Sequence, residues 1–468
     1  MSRIPCAGVP AAYRHAMGET RTLLPSDPGF WRSPLRGPWL TAVLGIVLLA
    51  GVTVLFVTGL LSYAAYNPDL SPVNDKTPTR GLFGFYLFSW PTDPHWLYRL
   101  TQGVHVTLGV VLVPVLLAKL WSVIPRLFAL PPARSVGHAL ERISLLLLVG
   151  GALFEFVTGL LNVQLDYLFP GSFYTLHFYG AWIFAAALVV HVALRLPRAL
   201  RALRGGLPRG PEPEPDMGTG LVAPRPDPPT MSRRGALGFV GGGSLLLFAV
   251  TAGQSLGGPL RRTALLAPHG GAEPGTGPGA FQINKTAASV GVTRRETDTG
   301  WTLLVKGAGG REVRLSRERL LRMPQHEAAL PIACVEGWST TDQHWRGVRL
   351  RDLAALAGYG GGGSGGGDSG DGAGSAEGDG DGVPGVFVGS LQRSGSFRTA
   401  ALRDNQVRDP RSLLALRVNG ADLTLDHGYP ARIIVPAAPG VLNTKWVASL
   451  EFGGFGGPGP SAGPEGAA

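Results

Sequence analysis

The chain has 468 residues, of which 45% are hydrophobic and only 16% are charged. This length exceeds what one ordinary core fills, so two or more structural units are expected. The scarcity of charge argues against a wholly soluble protein and indicates that lipid solvates part of the chain. The formal net charge of +10 comes without the aromatic-interleaved basic motif of a nucleic-acid binder, so nucleic acid is not an expected partner.

Four long apolar runs dominate the N-terminal half of the chain. They are Trp39–Tyr63, Leu100–Ile124, Ile143–Val163 and Leu176–Leu196. Each run has about the 20 residues that a helix needs to cross a hydrocarbon core. We therefore predict an all-α, four-helix membrane domain over residues 38–204, preceded by a cytoplasmic tail over residues 1–37.

The distribution of arginine predicts the orientation of these spans. Three arginines lie between the second and third runs and four more lie in residues 195–204, whereas residues 162–175 contain no Lys or Arg. Because cytoplasmic loops carry the excess of Lys and Arg, we expect the N-terminus in the cytoplasm and residues 64–99 and 162–175 outside. The predicted location is a bacterial cytoplasmic membrane, with lipid around the spans.

A short duplication relates the spans in pairs. Phe56–Leu61 and Phe156–Leu161 both read Phe-Val-Thr-Gly-Leu-Leu, and each precedes a span with a histidine near its start, His105 and His177. The simplest arrangement is a two-plus-two bundle with both imidazoles at one depth near the outer face. Two facing neutral imidazoles are the usual axial ligands of a low-spin haem b.

A third histidine extends this pattern. His191 lies fourteen residues after His177, close to four helical turns further along roughly the same face. This spacing resembles that of membrane di-haem cytochromes b, in which one helix supplies a ligand to each of two haems. Lys119 stands fourteen residues after His105, where a fourth histidine is expected, so we predict one outer haem b and keep His191 as a candidate ligand of a second. The alternative for each histidine is an interhelical hydrogen bond.

Residues 205–279 connect the bundle to the rest of the chain. The Pro-rich stretch 205–230 predicts an unfolded cytoplasmic linker. Residues 231–257 contain Ser232-Arg233-Arg234-Gly235-Ala236-Leu237 followed by an apolar run, which resembles an internal twin-arginine export signal, although Ala236 stands where the pattern prefers Phe. The alternative is that the two arginines only mark the inner end of a fifth span. Both interpretations place the chain after about residue 258 outside, with residues 258–279 as a tether.

From residue 280 to residue 453 the pattern changes to short β-like runs broken by Gly and Pro. Strands are predicted over residues 301–306, 312–315, 329–335, 386–391, 413–418 and 431–435, and helices over residues 316–322 and 349–357. The predicted fold class of this region is mixed α+β. Within it, residues 360–382 are nearly all Gly, Ser, Asp and Glu and are expected to be a disordered insertion, as is the tail over residues 454–468.

The residues around Cys334 carry a chemical signal. The chain reads Cys334-Val335-Glu336-Gly337-Trp338-Ser339. This resembles the molybdopterin-binding domain of the sulfite oxidase family, in its bacterial periplasmic sulfoxide-reductase branch, where Val-Glu-Ala-Trp-Ser follows the cysteine; Gly337 replaces the Ala here. The resemblance implies that Cys334 is the catalytic thiolate ligand of molybdenum, and a soft thiolate suits such a metal. The alternative is a buried free cysteine that packs as a small hydrophobe.

A second segment carries the same resemblance. Residues 426–436, followed by Asn443-Thr444-Lys445-Trp446, look like the family's pterin-phosphate segment. The resemblance implies that the cofactor is held by His427, Arg432, Asn443, Thr444 and Lys445. An Arg fork and a Lys point charge suit a phosphate. Asn284 is carried over as a further cofactor contact. A surface strand with scattered basic residues is the alternative interpretation.

These patterns predict a membrane-anchored, molybdopterin-dependent oxidoreductase that exchanges electrons with the quinone pool through haem b. The branch resemblance favours reduction of an S-oxide or N-oxide by oxygen-atom transfer, since the residues after Cys334 differ from the Arg-bearing stretch with which sulfite oxidases hold their substrate. The alternatives are a sulfite-type oxidase and a non-catalytic tethered binding or sensing domain. Other electron-transfer proteins are candidate partners. A transporter is disfavoured, because broken helices and paired polar sites are not expected in these spans.

Overall fold

The computed structural model describes residues 24–66 except 28, 87–130, 135–164, 173–206, 221, 226–268, 276–359 except 299, 382–394 and 398–453. The predicted insertion except residue 382, the predicted C-terminal tail and most of the predicted linker lie outside these residues. The described residues form two compact units. One holds those within Met1–Leu48, Val115–Val149 and Ala187–Gly241, and the other holds those within Leu49–Pro114, Gly150–Ala186 and Gly242–Ala468.

Long apolar helices make up the N-terminal half. They are α1 (Pro38–Tyr66), α2 (Leu97–Val111), α3 (Val113–Leu127), α4 (Val136–Gln164), α5 (Phe173–Arg204) and α6 (Arg233–Ala249), followed by the short α7 (Gly253–Leu256). In the described part of the chain, four helices are long and apolar enough to cross a membrane, and α2 with α3 make a fifth candidate if they count as one span. Each predicted span falls within one of these candidates, which is consistent with a membrane protein.

The second predicted span is bent. α2 and α3 meet at an angle of 42° around Leu112. Pro114 lies just after this break, and because proline has no N–H it cannot donate to the carbonyl one turn back, which bends or ends a helix. The expectation of unbroken spans is therefore wrong at this position. The predicted tether over residues 258–279 is not irregular throughout. It begins with a 3-10 helix over Gly258–Thr263.

α6 begins at the first arginine of the twin-arginine-like pair. Ser232 Oγ accepts a hydrogen bond from Gly235 N at 3.0 Å and caps this end of the helix. Arg233 is buried, and its guanidinium donates to Pro34 O at 3.3 Å. The pair therefore marks the start of an apolar helix, and twin-arginine export stays a prediction.

The C-terminal domain is a mixed α+β fold, as predicted. Its strands are β1 (Thr302–Lys306), β2 (Glu312–Ser316), β3 (His326–Leu330), β4 (Gln343–Arg349), β5 (Val386–Ser390), β6 (Thr399–Leu402), β7 (Leu413–Val418), β8 (Ala421–Asp422), β9 (Arg432–Ile434) and β10 (Val447–Phe452). Its helices are α8 (Arg294–Thr297), α9 (Arg317–Arg322), α10 (Leu350–Leu356) and α11 (Asp404–Arg408).

Two sheets share the core of this domain. The first has the strand order β2-β1-β10-β5-β6, and the second has the order β3-β4-β7-β8 with β9 also paired to β7. β1 and β10 run parallel, and the other pairs are antiparallel. Leu303 of β1 and Leu414 of β7 belong to one buried cluster, whereas Leu413 of β7 packs with Trp345 in a second cluster. β7 is therefore buried on both faces, and it supports β9 with Arg432 at its start.

One predicted strand ends early. Five of the six predicted strands agree with β1, β2, β5, β7 and β9 to within two residues. The strand predicted over residues 329–335 does not, because β3 ends at Leu330 and Pro331, which cannot donate to a ladder, follows it. Cys334 consequently lies in a loop. The sequence patterns did not predict β3 before Ala329 or the strands β4, β6 and β10.

We predict that Gly347→Ala destabilises the C-terminal domain. A Cβ atom at Gly347 would lie 2.0 Å from Leu414 O, a backbone atom of the neighbouring strand, at the point where the β4–β7 register shifts. Overpacking of this kind costs about 1–3 kcal/mol. Gly300→Ala is the matched control, because nothing lies within 4 Å of a Cβ there among the described residues. The denaturation midpoint, followed by tryptophan fluorescence, should fall for Gly347→Ala only; equal midpoints would contradict this packing.

Candidate functional site

Cys334 lies at a tight turn that its own backbone closes. Cys334 N donates to Trp338 O at 2.8 Å, and Gly337 N donates back to Cys334 O at 3.1 Å. The side chain is 4% exposed. Burial raises the pKa of the Cys334 thiol well above its usual value, and the nearby Glu336 carboxylate raises it further. Without a cation the thiol is thus protonated, whereas a coordinated metal removes that proton outright.

Arg432 is a buried cation at the start of β9. It is 3% exposed, its Nη1 donates to His427 O at 3.3 Å, and its guanidinium lies 5.6 Å from the centroid of the Trp345 ring. Burial lowers the pKa of Arg432 to about 9. Among the described residues no carboxylate pairs with it. A buried charge without a counter-ion is costly, so this position favours an anionic ligand.

Lys445 is buried beside Arg432. Its Nζ donates to Lys285 O at 2.7 Å and to Asp426 O at 2.9 Å. Burial, followed by the charge of Arg432, lowers the pKa of Lys445 well below its usual value. Because these two carbonyls use two of its three N–H donors, the Lys445 ammonium group has one donor left for another acceptor. Together these two side chains concentrate positive charge in the interior of the domain.

His427 is engaged on both sides of its ring. Its Nδ1 lies 2.7 Å from Thr424 Oγ1, and its Nε2 lies 3.1 Å from Phe281 O. Burial, with the charge of Arg432, lowers the pKa of His427 to about 4, so the ring is neutral at pH 7. His427 therefore ties the start of the domain to the segment that carries Arg432. Its predicted direct contact with the cofactor stays a prediction.

Asn443 and Thr444 add polar atoms to the same place. Asn443 Oδ1 accepts from Val435 N at 2.8 Å, and Thr444 O accepts from Ile433 N at 2.9 Å, so both residues hold the segment that includes β9. Asn443 Nδ2, Thr444 Oγ1 and Arg432 Nε are all buried without a hydrogen-bond partner among the described residues. Buried donors are normally paired. Three such atoms on neighbouring segments fit a phosphate or pterin that accepts from them.

The two sequence motifs lie side by side. Ala333 pairs with Pro439 in a short parallel bridge, and Gly440 N donates to Ala333 O at 2.6 Å. The segment leading to Asn443 therefore starts against the Cys334 loop. Asn284, the remaining predicted cofactor contact, is exposed, and its neighbour Lys285 provides the carbonyl that Lys445 binds.

The helices bring His105 and His177 together. Their ring centroids lie 6.2 Å apart, and their planes are perpendicular. His105 Nδ1 is 3.0 Å from Leu55 O and from Thr58 Oγ1, and Thr58 Oγ1 donates its own hydrogen to Val54 O at 2.8 Å. Because both neighbouring oxygens act as acceptors, Nδ1 carries the ring proton and Nε2 keeps its lone pair.

The second half of the duplication repeats this arrangement. His177 Nδ1 lies 3.1 Å from Thr158 Oγ1 and 3.1 Å from Glu155 Oε2. Thr158 Oγ1 donates to Phe154 O at 2.7 Å. The glycine after each threonine, Gly59 or Gly159, leaves room for the ring, since a Cβ atom there would lie 3.2 Å from Cε1 of His105 or 3.3 Å from Cε1 of His177. Neither Nε2 has a hydrogen-bond partner among the described residues.

His191 belongs to the other compact unit. Its charged neighbours there include Lys119 and Arg126. Lys119 Nζ donates to Thr41 O at 2.6 Å and stands close to Gly45. The position where a fourth histidine was expected is therefore filled by an ammonium group bound to a helix carbonyl. A haem ligated by His191 stays a prediction.

Comparisons with known proteins identify the family of the C-terminal domain. The family model described as the oxidoreductase molybdopterin binding domain matches residues 290–456. The uncharacterized oxidoreductase YuiH of Bacillus subtilis (strain 168) is 30% identical over 157 residues, which cover 34% of this chain and 67% of that protein. The chain belongs to the molybdopterin-binding oxidoreductases.

The chain is also similar, at lower identity, to animal enzymes. Mitochondrial sulfite oxidase of Rattus norvegicus is 27% identical over 180 residues, which cover 34% of this chain but only 30% of that enzyme. A structure of the sulfane dehydrogenase SoxCD from Paracoccus pantotrophus aligns with 38% of this chain and with 43% of its own chain. The TM-score is 0.29 and the sequence identity is 21%. Its match to the family model and to YuiH makes this molybdopterin-binding oxidoreductase a molybdenum-dependent enzyme, and its helical N-terminal region lies outside residues 290–456.

Several site residues were not predicted from the sequence. Lys285 lies close enough to Cys334 and Glu336 for their charges to act on its pKa, which burial lowers. Thr58 and Thr158 orient the two histidines, and the duplication that contains them was a signal for this role. Gln102, which contacts the Cys334 loop, carried no signal, because a single glutamine in an apolar helix has no pattern of its own.

We predict that Arg432→Met has opposite effects on the free and cofactor-loaded protein. Removing a buried, unpaired charge should stabilise the cofactor-free domain, by about 1–4 kcal/mol on the scale of buried ion replacements. Losing a charged donor to the cofactor, worth about 1.5–3 kcal/mol, should lower cofactor affinity by about 10- to 100-fold. The unfolding midpoint of the free domain and its retained pterin report the two effects. Arg417→Met, at an exposed arginine paired with Asp422, is the control; unchanged pterin retention in Arg432→Met would contradict the assignment.

Proposed function

We propose that the chain is a membrane-anchored oxidoreductase that carries electrons from quinol through a haem b, held by His105 and His177, to a molybdopterin centre on Cys334. There, an S-oxide or N-oxide loses its oxygen atom. In this proposal the C-terminal domain lies on the extracytoplasmic side of a bacterial cytoplasmic membrane. The arrangement of the histidine pair is the observation that supports the membrane part, and the buried donors around Arg432 support the molybdopterin part.

The chain's own residues have separate tasks in the C-terminal site. When bound, the molybdenum cofactor supplies two-electron redox chemistry and oxygen-atom transfer. Cys334 would hold the metal as a thiolate, at a turn that the hydrogen bond from its N to Trp338 O closes. Arg432, Lys445, Asn443 and Thr444 hold the anionic end of the pterin through donors that are otherwise unpaired or only partly used.

The geometry of the two histidines suits a single metal between them. A metal–imidazole nitrogen bond is about 2.0–2.1 Å, taking the value for zinc, so two rings that bind one metal from opposite sides have centroids roughly 6 Å apart. The observed centroid separation is 6.2 Å. Metal-ligating histidines also donate their other ring N–H to a carbonyl or carboxylate. Leu55 O and Glu155 Oε2 are such acceptors, which supports an axial pair for haem b.

An apolar cleft beside α2 supports electron entry from a quinone. The cleft has a volume of about 530 Å³ and is lined by α2 residues such as Leu100 and Val104 and by Phe248 and Leu256 of the α6–α7 segment, with Arg99 among the polar groups. A long apolar ligand with a polar head suits such a lining. α2 also carries His105, so a quinone in this cleft would bind to the helix that holds the haem.

The residues after Cys334 support a neutral substrate in this proposal. Residues 335–341 contain Glu336 and no basic residue. Because this stretch lacks the arginine with which sulfite oxidases hold their anionic substrate, it favours a neutral S-oxide or N-oxide over sulfite, even though Lys285 offsets part of the Glu336 charge. We expect the protein with reduced viologen to reduce dimethyl sulfoxide or trimethylamine N-oxide faster than it oxidises sulfite with ferricyanide. A faster sulfite reaction would support the sulfite-type alternative.

The two metal sites can be removed one at a time. We predict that Cys334→Ala loses the paramagnetic molybdenum signal and keeps the haem absorbance bands, whereas His105→Ala loses the haem bands and keeps molybdenum. His95→Ala, at a surface histidine paired with Asp342, should keep both. Optical and paramagnetic spectra of protein from a host that makes both cofactors provide the measurement. Wild-type protein without molybdenum would support a non-catalytic tethered module, and haem bands that persist in His105→Ala would contradict the axial pair.

A further inference from the structure

The Cys334 loop is held by residues from outside the C-terminal domain. Gln102 of α2 donates from Nε2 to Val335 O, and Val106 of α2 packs against Gly337. From α7, Ser255 Oγ donates to Gly337 O. Ser339 donates to the same segment, from N to Gln254 O and from Oγ to Ser255 O, both at 2.9 Å. All of these residues belong to one compact unit.

Gly337 allows this close approach. Its φ is +89°, and a Cβ atom there would lie 2.6 Å from Val106 Cβ. The pattern that the loop resembles has Ala at this position. Replacement of that Ala by Gly therefore removes the one side-chain atom that would hold α2 away from the Cys334 loop.

Further hydrogen bonds join α2 to α7 and to the C-terminal domain. Arg99 of α2 donates from Nε to Ser255 O at 2.9 Å and from Nη2 to Leu256 O at 2.6 Å, which fastens α2 to α7. Trp90, just before α2, donates to Ala437 O at 2.7 Å, and its own carbonyl accepts from Asn405 Nδ2 at 2.9 Å. α2 is thus fixed to the C-terminal domain on two sides of the loop.

The same turn of α2 carries one of the paired histidines. His105 lies between Gln102 and Val106, so the residues that touch the loop are its neighbours on one helical turn. On the loop side, Val335 is bonded to Cys334 directly. The path from the His105 imidazole to the Cys334 thiol therefore follows covalent bonds except at one place, the contact between α2 and the Cys334 loop.

We propose that the Gln102–Val106 turn of α2 is the electron-transfer contact between the His105 haem and the Cys334 molybdenum site, with Gln102 as a positioning residue. The inference rests on the proposed function. A haem held by His105 and His177 would supply electrons one at a time, and a molybdenum cofactor on Cys334 would accept two of them. These two electrons, with two protons, balance the conversion of an S-oxide to a sulfide and water, and quinol is the reductant.

The first experiment measures the contact without using activity. Hydrogen exchange of the peptide over residues 333–340 is compared in wild-type protein, Gln102→Leu, Gly337→Ala and Gly420→Ala. Gly420 has φ of +83° and nothing within 4 Å of a Cβ among the described residues, so its alanine variant reproduces the backbone strain without the clash. We expect faster exchange of this peptide in Gln102→Leu and Gly337→Ala only. Unchanged exchange in both would overturn the contact.

The second experiment measures electron transfer across the contact. Haem is reduced, mixed with dimethyl sulfoxide and followed by its absorbance. Because Gln102→Leu removes the hydrogen bond from α2 to Val335 O, we expect haem oxidation to be several-fold slower in Gln102→Leu than in wild type, while viologen-driven reduction persists. The conservative Gln102→Asn, with a shorter reach, should lie between Leu and wild type.

The outcomes separate this inference from the proposed function. Wild-type protein that lacks haem or molybdenum, or whose haem is not oxidised by the substrate, contradicts the proposed function. Wild-type haem oxidation that proceeds at the same rate in Gln102→Leu and Gly337→Ala overturns the α2 contact and leaves the proposed function standing. Loss of both cofactors in Gly337→Ala with their retention in Gly420→Ala would show that the loop needs its glycine for assembly, and Gln102→Leu then decides the electron path.

Discussion

Buried positive charge without a matching carboxylate is the constraint on which the C-terminal site depends. Arg432 and Lys445 lie in the interior beside β7 and β9, and the described residues supply only carbonyl acceptors for them. Desolvation of two cations is unfavourable unless an anion offsets it. The match to a molybdopterin-binding family and the unpaired donors of Asn443 and Thr444 support the proposal that the anionic end of the pterin is that anion. In this proposal the ligand contributes to the stability of the domain.

A related constraint acts on the helices. Imidazoles inside an apolar bundle need partners for their polar atoms, and Thr58 and Thr158 provide them without introducing charge. Each threonine hydroxyl also donates a hydrogen bond to a carbonyl of its own helix, which orients the oxygen that faces the histidine. The following glycine leaves the space that the ring occupies. Each copy of the duplicated segment therefore positions one imidazole.

Periodicity and motif predicted most of the architecture, and close packing determined the remainder. The spans and five of the six predicted strands were recognisable because their apolar residues follow a simple period. β4 was missed because His344 and Arg346 on its exposed face make its sequence polar, and β6 because alanine favours helix. The Cys334 motif predicted a metal ligand, but the strand predicted through it ends at Leu330. Gln102 and Ser255 could not be found from sequence, since their role comes only from the approach of distant segments.

Because the α2 turn and the Cys334 loop belong to one polypeptide, the rate at which they meet does not depend on protein concentration. Two separate proteins must find each other by diffusion, at a rate that depends on their concentrations and on salt. Segments joined by a chain and held in contact meet at an effective concentration that dilution does not change. Arg99 and Trp90 hold these segments together, so the two segments do not need to recognise each other from solution. Because they belong to one chain, they are always present in a one-to-one ratio.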